Sequence, residues 1–263
     1  MPITEFQCEV LHLLRKHRNP NSYVAGGVAI HRSRNSLRCS NDIDFFHDTA
    51  EAVQQGAQQD MQVLAASGYQ LTLLIEQPAF IRATISRGEN ALKLEWVRDT
   101  AFRFFPVIAD DDLGYRLHDV DLAVNKCLTL ANRAEVRDII DIVHINDTVI
   151  SLACASWAAC GKDPGFTPLL LLDCMNRNSI IRPEQLASES LAVPLSATEL
   201  KQRWRSLFSA AVEQIAAFSA ADLGCIYLDR EGRVVRSPDP QNLADHLRHF
   251  GSVGGSWPRI AQA

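Results

Sequence analysis

The sequence lacks a hydrophobic stretch long enough to cross a membrane. No run approaches the ~18 consecutive apolar residues of a transmembrane helix. Residues 1–18 mix charged and apolar residues at helical spacing, unlike a signal peptide. The seven cysteines are dispersed and contain no C-x-x-C pair, a pattern typical of reduced thiols. We therefore expect a cytoplasmic protein without a membrane partner.

A surplus of positive charge is also missing, because the formal net charge is −5. This argues against a general nucleic-acid binder, since such domains are usually basic. The local distribution is different, because Arg32, Arg34 and Arg38 crowd one short stretch and Arg82 and Arg98 follow in strand-like runs. Each arginine can contact a triphosphate or an RNA backbone, or belong to a solvated basic rim. The sequence leaves both interpretations open.

The chain has 263 residues, of which 47% are hydrophobic and 22% charged, ordinary values for a globular protein. Strand-like runs over 69–76, 80–87 and 91–98 follow a predicted helix at 49–67. From residue 118 onward the pattern is mainly helical, with a predicted hairpin pairing 225–228 with 234–235. We therefore predict the α+β class, with a mixed β-sheet domain and flanking helices over residues 1–115 and a mainly helical domain over residues 116–263.

The most informative stretch joins a glycine pair to an acidic pair. Gly26 and Gly27 follow a strand-like run and precede a predicted helix at 28–34, and Asp42 and Asp44 come after the basic stretch. On a strand, alternate side chains share a face about 7 Å apart, so both carboxylates can reach one Mg²⁺. Glycines let backbone N–H groups approach a phosphate closely. The combination predicts a nucleoside-triphosphate site, although each pair alone is commonly a turn or a solvated strand end.

A third carboxylate is predicted on the strand at 91–98. Alternation places Lys93, Glu95 and Val97 on one face, and this strand can lie beside the acidic pair. Glu95 is then a metal ligand, or else a surface residue paired with Lys93 or an arginine. Both alternatives remain open.

A second group of charges lies in the helical half. Lys126 is the only charged residue of its apolar stretch after Asp121, and Asp138 and Asp141 are spaced to share one helix face. The two carboxylates can support Lys126 or Arg137 through ion pairs. The alternative is a salt bridge between helices that fixes the two domains.

Three segments together resemble the AbiEii/AbiGii toxin family of nucleotidyltransferases, within the DNA polymerase beta-like nucleotidyltransferase superfamily. They are YVAGGVAIH, RCSNDIDFF and DLAVNKCLTLANRAEVRDIIDI, and the resemblance covers residues 20–150. It implies a nucleotidyltransferase-type sheet domain and a helical domain that completes the site. Position 27 departs from the wider superfamily, which usually has serine there, whereas glycine is common among AbiEii-like members.

The resemblance implies an enzyme that moves a nucleoside monophosphate from an NTP to an acceptor and releases pyrophosphate, with Mg²⁺ or Mn²⁺ as cofactor. Its predicted site residues are Gly26 and Gly27 for the triphosphate, Asp42 and Asp44 for the metal, Ser40 for a phosphate or the turn, Lys126 for triphosphate charge, and Asp138 with Asp141 for the downstream acidic motif. Mechanistic reasoning adds Glu95, which would bind the acceptor-side metal during in-line displacement.

Relatives suggest a toxin of a bacterial toxin–antitoxin or phage-defence pair, with an RNA acceptor such as the tRNA 3′ end and an antitoxin protein as partner. Two alternatives remain. One is a nucleotidyltransferase acting on a small molecule such as an antibiotic, and the other is a nucleotide-binding or partner-binding module with little catalysis. The intact acidic pair argues against the last, because clustered charges are costly to retain.

Overall fold

The computed structural model describes residues 3–32 and 36–259. The chain divides into two compact units. The first comprises Met1–Ala101 and Pro106–His118, and the second comprises Phe102–Phe105 and Asp119–Ala263. The assignment of domains to residues 1–115 and 116–263 stays a prediction. Arg34 lies outside the described residues.

The α-helices of the described residues range from one turn to more than five. They are α1 (Glu5–Leu14), α2 (Gly26–Ile30), α3 (Ala50–Ala66), α4 (Asp119–Asn132), α5 (Val136–Thr148), α6 (Leu152–Lys162), α7 (Pro168–Asn178), α8 (Pro183–Ala187) and α9 (Ala197–Ala216).

The β-strands of the described residues include long and very short ones. They are β1 (Ser22–Ala25), β2 (Asp42–His47), β3 (Gln70–Gln77), β4 (Phe80–Arg87), β5 (Asn90–Arg98), β6 (Phe102–Arg103), β7 (Ile108–Asp110), β8 (Gly114–Arg116), β9 (Cys225–Leu228), β10 (Leu247–Phe250) and β11 (Ser252–Val253).

The first unit is built on a mixed seven-stranded sheet with the order β3-β4-β5-β2-β1-β8-β7. β2 pairs parallel with β5 and antiparallel with β1. Alternation along β2 and β5 buries Ile43, Phe45, Leu94 and Trp96, and their polar neighbours remain half-buried on the other face. The apolar face packs against α3, whose N-terminus is capped by the Thr49 hydroxyl.

A buried polar cluster anchors α3 to the apolar side of the sheet. The Asp60 carboxylate accepts hydrogen bonds from Arg18 at 2.5 Å, from Trp96 Nε1 at 2.8 Å and from His17 Nδ1 at 3.1 Å. Because Trp96 follows Glu95 on β5, this cluster also fixes the strand that carries the predicted third carboxylate.

The second unit consists mainly of helices. α4 packs on α5, α6 and α7, and α9 packs on α6 and α7. Two short sheets complete the unit, one pairing β9 with β10 and the other pairing β6 with β11. No single helix among the described residues is long and apolar enough to span a membrane, and α5 with α6 reach that threshold only together, across a bend of 110°.

Two local predictions were wrong. The helix predicted at 28–34 begins at Gly26 and ends at Ile30, because the glycine pair itself forms the first turn directly after β1. The hairpin predicted for 225–228 with 234–235 is reduced to one isolated bridge, and the regular partner of β9 is β10. A turn does form at Asp229, but it is followed by only the one bridge, between Leu228 and Val234.

Candidate active site

Three carboxylates meet on the polar face of the first unit. In the parallel pair of β2 and β5, Asp44 lies opposite Glu95 and Asp42 lies opposite Lys93. One oxygen each of Asp42, Asp44 and Glu95 lies within 4.8 Å of the other two, and all three residues are half-buried. The predicted position of the Glu95 strand beside the acidic pair is confirmed.

The carboxylates are surrounded by cations on the same sheet. Lys93 Nζ lies 2.7 Å from Asp42 Oδ2 and 3.2 Å from Glu95 Oε1. Arg82 Nε on β4 donates to Glu95 Oε1 at 2.9 Å. Burial lowers the pKa of Lys93, but the hydrogen bond and charge of Asp42 and the charge of Glu95 outweigh it, so the net pKa is raised and the ammonium stays charged. Glu95 therefore satisfies both sequence interpretations, since it joins the acidic cluster and pairs with Lys93 and an arginine.

The chemistry of this donor set fits a hard divalent cation. Carboxylate oxygens are the ligands that Mg²⁺ and Mn²⁺ prefer, and three of them converge within the separation that one ion or a close pair needs. The Lys93 ammonium already lies against two of the three carboxylates. These residues can hold Mg²⁺ or Mn²⁺ in its place.

The glycine turn lies directly against the acidic strand. Ala25 pairs with Asp44 across β1 and β2, so the next residue, Gly26, lies under the Asp44 carboxylate. Gly26 has φ +63, and a Cβ there would lie 1.8 Å from Asp44 Oδ2. Only glycine tolerates both this backbone conformation and this approach. The glycine turn and the Asp44 carboxylate are therefore in direct contact.

Ser40 and Arg38 cover the second glycine. A Cβ at Gly27 would lie 2.5 Å from Ser40 Oγ and 3.0 Å from Arg38 Nη2. The Ser40 hydroxyl donates to the Asp42 backbone carbonyl at 3.2 Å, and the Ser40 carbonyl accepts from Gln7 on α1 at 2.6 Å. The predicted contact of Ser40 with a phosphate stays a prediction, whereas its position at the turn is as expected.

Sequence reasoning left Arg38 and Arg82 open as triphosphate contacts or rim residues, and it named Lys93 only as an alternative partner of Glu95. The signal for two of them was present, because alternation along β4 and β5 assigns Arg82 and Lys93 to the face of Glu95. Arg38 lies in a loop without a period, and its buried guanidinium, which donates to the Cys39 carbonyl, follows only from the folded chain.

The remaining predicted residues form a cluster of ion pairs in the helical unit. Lys126 Nζ on α4 lies 2.8 Å from Asp138 Oδ1 and 2.7 Å from Asp141 Oδ2 on α5, and Arg133 adds a second cation to Asp138 at 2.7 Å. Burial raises the pKa of Asp138, but Lys126 and Arg133 outweigh it and hold the pKa below its usual value. The salt bridge joins helices α4 and α5, as the alternative of a salt bridge between helices expects, and its role in fixing the two domains stays a prediction.

Known structures complete the description of the fold. No protein-family model and no curated protein sequence matches this chain. MenT4, a nucleotidyltransferase toxin from Mycobacterium tuberculosis H37Rv, is similar over 82% of this chain and 83% of its own length, with a TM-score of 0.56 and 17% sequence identity. The chain has a nucleotidyltransferase fold.

Two Helicobacter pylori structures agree with this fold. JHP933 is similar over 81% of this chain and 95% of its own, and a protein assigned provisionally as a nucleotidyltransferase over 80% and 94%. Both have a TM-score of 0.52 and 13% sequence identity. The predicted α+β class with a nucleotidyltransferase-type sheet is confirmed, and at these identities the likeness concerns the fold alone.

Proposed function

We propose that this protein is a metal-dependent nucleotidyltransferase that moves a nucleoside monophosphate from an NTP to an acceptor and releases pyrophosphate. The supporting observation is the convergence of Asp42, Asp44 and Glu95 beside the Gly26–Gly27 turn, within a nucleotidyltransferase fold. The first compact unit carries this site and serves as the catalytic domain of the proposal.

Asp42, Asp44 and Glu95 would hold Mg²⁺ or Mn²⁺. When bound, the metal neutralises phosphate charge and favours a deprotonated acceptor hydroxyl. The chain contributes positioning, because Asp44 is held between the glycine turn and its neighbour on β5. Such transfers depend mostly on geometry and charge neutralisation.

The residues around the metal ligands would bind the triphosphate. The backbone N–H groups of Gly26 and Gly27, in the first turn of α2, would bind a phosphate oxygen. Ser40 supplies a hydroxyl at the same turn. Lys126 would neutralise triphosphate charge, with Asp138 and Asp141 holding its ammonium, and this role remains part of the proposal.

For the acceptor we propose RNA, with the tRNA 3′ end as the first candidate, and for the biological role a bacterial toxin opposed by an antitoxin in the cytoplasm. The support is the fold likeness to MenT4, which is named as a nucleotidyltransferase toxin. Arg38 beside Gly27 and Arg32 after α2 add basic groups that would contact phosphates.

The experiment incubates the purified protein with each of the four α-³²P-labelled NTPs, Mg²⁺ and total RNA. We expect label in RNA with one or more NTPs, and loss of at least 100-fold in Asp44→Asn because one metal ligand is neutralised. Asp112→Asn is the matched control, since it removes an exposed carboxylate of the same unit. It should transfer at the wild-type rate.

Other outcomes separate the alternatives. Label in a small-molecule fraction but not in RNA would replace the RNA acceptor with a small-molecule acceptor. NTP binding without transfer to either fraction would contradict the enzyme and favour a nucleotide-binding module. Equal transfer by wild type and Asp44→Asn would assign the activity to a contaminant.

A further inference from the structure

Side chains on the polar face of the first unit form two rows across β4, β5 and β2. One row is Arg82–Glu95–Asp44, and the next is Thr84–Lys93–Asp42. Lys93 joins the rows, because its ammonium lies 2.7 Å from Asp42 Oδ2 and 3.2 Å from Glu95 Oε1. A single cation thus bridges carboxylates of two strands.

Such a bridge stabilises the cluster when no divalent cation is bound. Three carboxylates with oxygens within 4.8 Å of one another repel strongly, and a cation between them relieves the repulsion. A divalent cation bound to the same oxygens would lie within about 5 Å of the ammonium and repel it. The two cations therefore compete for Asp42 and Glu95.

We propose that the Lys93 ammonium is an internal counter-cation of the Asp42–Asp44–Glu95 cluster, which a divalent cation displaces on binding, so that Lys93 sets the metal affinity of the site. This inference rests on the proposed function, which makes the cluster a metal site. In this role, Lys93 acts on the metal through the charge it places beside Asp42 and Glu95.

Lysine suits this exchange better than the neighbouring arginine. The side chains of Lys93 and Arg82 are both 34% exposed, but the lysine ammonium is a compact, strongly hydrated charge on a flexible stem, so it can leave for solvent. Arg82 pairs with Glu95, and its planar guanidinium is held there through Nε at 2.9 Å. Arg82 can remain in place while Lys93 moves.

The test measures Mn²⁺ affinity without nucleotide, from the electron paramagnetic resonance signal of free Mn²⁺. We expect Lys93→Met to lower the Kd at least about tenfold, because a unit charge near the ion is removed. Lys93→Arg keeps the charge and should bind Mn²⁺ as wild type or more weakly. Lys16→Met removes a charge from an exposed lysine of the same unit and should leave the Kd unchanged.

The direction of the change separates this role from a merely structural one. A lysine that only held the strands together would weaken metal binding when removed, whereas a competing cation strengthens it. Asp44→Asn added to Lys93→Met should abolish the gain, which assigns it to this cluster. Circular dichroism verifies the fold, and Lys93→Gln is the second variant if Lys93→Met does not fold.

Unchanged or weaker Mn²⁺ binding in the folded Lys93→Met or Lys93→Gln variant would overturn the inference. An absence of Mn²⁺ binding in every variant would overturn it as well. The proposed function fails independently. RNA labelling that depends on Asp44, together with equal Mn²⁺ affinities, would retain the function and reject the counter-cation. Tighter Mn²⁺ binding without transfer to any acceptor would retain the counter-cation and reject the function.

Discussion

Asp44 lies directly over Gly26, so closely that a Cβ at position 26 would come within 1.8 Å of a carboxylate oxygen. This contact joins the glycine pair and the acidic pair, which the sequence analysis combined into one predicted site. It also makes the glycine irreplaceable for two reasons, its positive φ and the nearby carboxylate, and these reasons can be separated by experiment.

We expect Gly26→Ala to abolish transfer while the fold survives. The methyl group must push Asp44 off its position, because the carboxylate end is the part that can move. Transfer and Mn²⁺ affinity should both fall at least about 100-fold. Gly88→Ala is the matched control, since Gly88 has φ +62 and nothing within 4 Å of its Cβ position. Both variants should lose about 1 kcal/mol in urea unfolding, from the backbone conformation. Equal activity of Gly26→Ala and Gly88→Ala would contradict the close contact between position 26 and Asp44.

The second glycine should respond to its neighbour Ser40. We expect Gly27→Ala to lower the free energy of unfolding by about 1–3 kcal/mol, because the methyl group meets Ser40 Oγ at 2.5 Å. In a Ser40→Gly background the same change should cost less, because the contact with Ser40 is removed and the one with Arg38 Nη2 at 3.0 Å remains. A double-mutant cycle in urea measures this coupling, and strictly additive effects would refute it.

The buried charges of the helical unit give a stability prediction. Lys126→Met leaves Asp138 and Asp141, both with fully buried side chains, without their shared cation, and should cost about 3–5 kcal/mol in urea unfolding. Arg133 is the other cation beside Asp138, and its own side chain is 45% exposed. Arg133→Met should therefore cost less than about 1 kcal/mol. Similar costs for both variants would show that the Lys126 cluster is not a buried one. A Lys126→Met protein that unfolds normally but transfers poorly would favour the triphosphate role.

We expect the buried Asp121 carboxyl group to make the protein less stable as the pH rises. Its carboxylate accepts from the Phe104 and Phe105 backbone N–H groups at 2.7 and 3.1 Å, and burial raises its pKa to about 6. Between the unfolded pKa near 4 and the folded value, the folded state binds the proton more tightly. The stabilisation from this group is therefore complete below about pH 4 and is lost as the pH rises through 6.

The measurement compares urea unfolding of wild type and Asp121→Asn from pH 4 to pH 7. The wild type should lose about 2–3 kcal/mol relative to the variant over this range. A difference that stays constant with pH, or one that grows in the opposite direction, would show that Asp121 is ionised throughout.

Much of the active-site half followed from strand periodicity. Alternation assigned Asp42 and Asp44 to one strand face and Glu95 to the face of Lys93, as the structure has them. The strand-like runs at 80–87 and 91–98 were also predicted, and they form the antiparallel neighbours β4 and β5. Local geometry alone was sufficient for these elements.

Long-range partners were beyond the sequence. The strand at 225–228 was assigned to its nearest neighbour at 234–235, but its hydrogen bonds go to Leu247–Phe250. The local pattern favours 234–235, which follows a glycine-containing turn, whereas Leu247–Phe250 contains Arg248 and His249 and lies further along the chain. The position of Arg38 beside Gly27 was also not predictable, because a loop has no repeating pattern that shows which way a side chain points.

The parallel pairing of β2 with β5 has a consequence for protein synthesis. The helix α3 and the strands β3 and β4 are inserted between the two halves of the acidic cluster. A growing chain therefore carries Asp42 and Asp44 long before the third carboxylate emerges from the ribosome. The proposed enzyme is assembled only after β5 has left the exit tunnel, so an unfinished polypeptide cannot hold the metal with all three ligands.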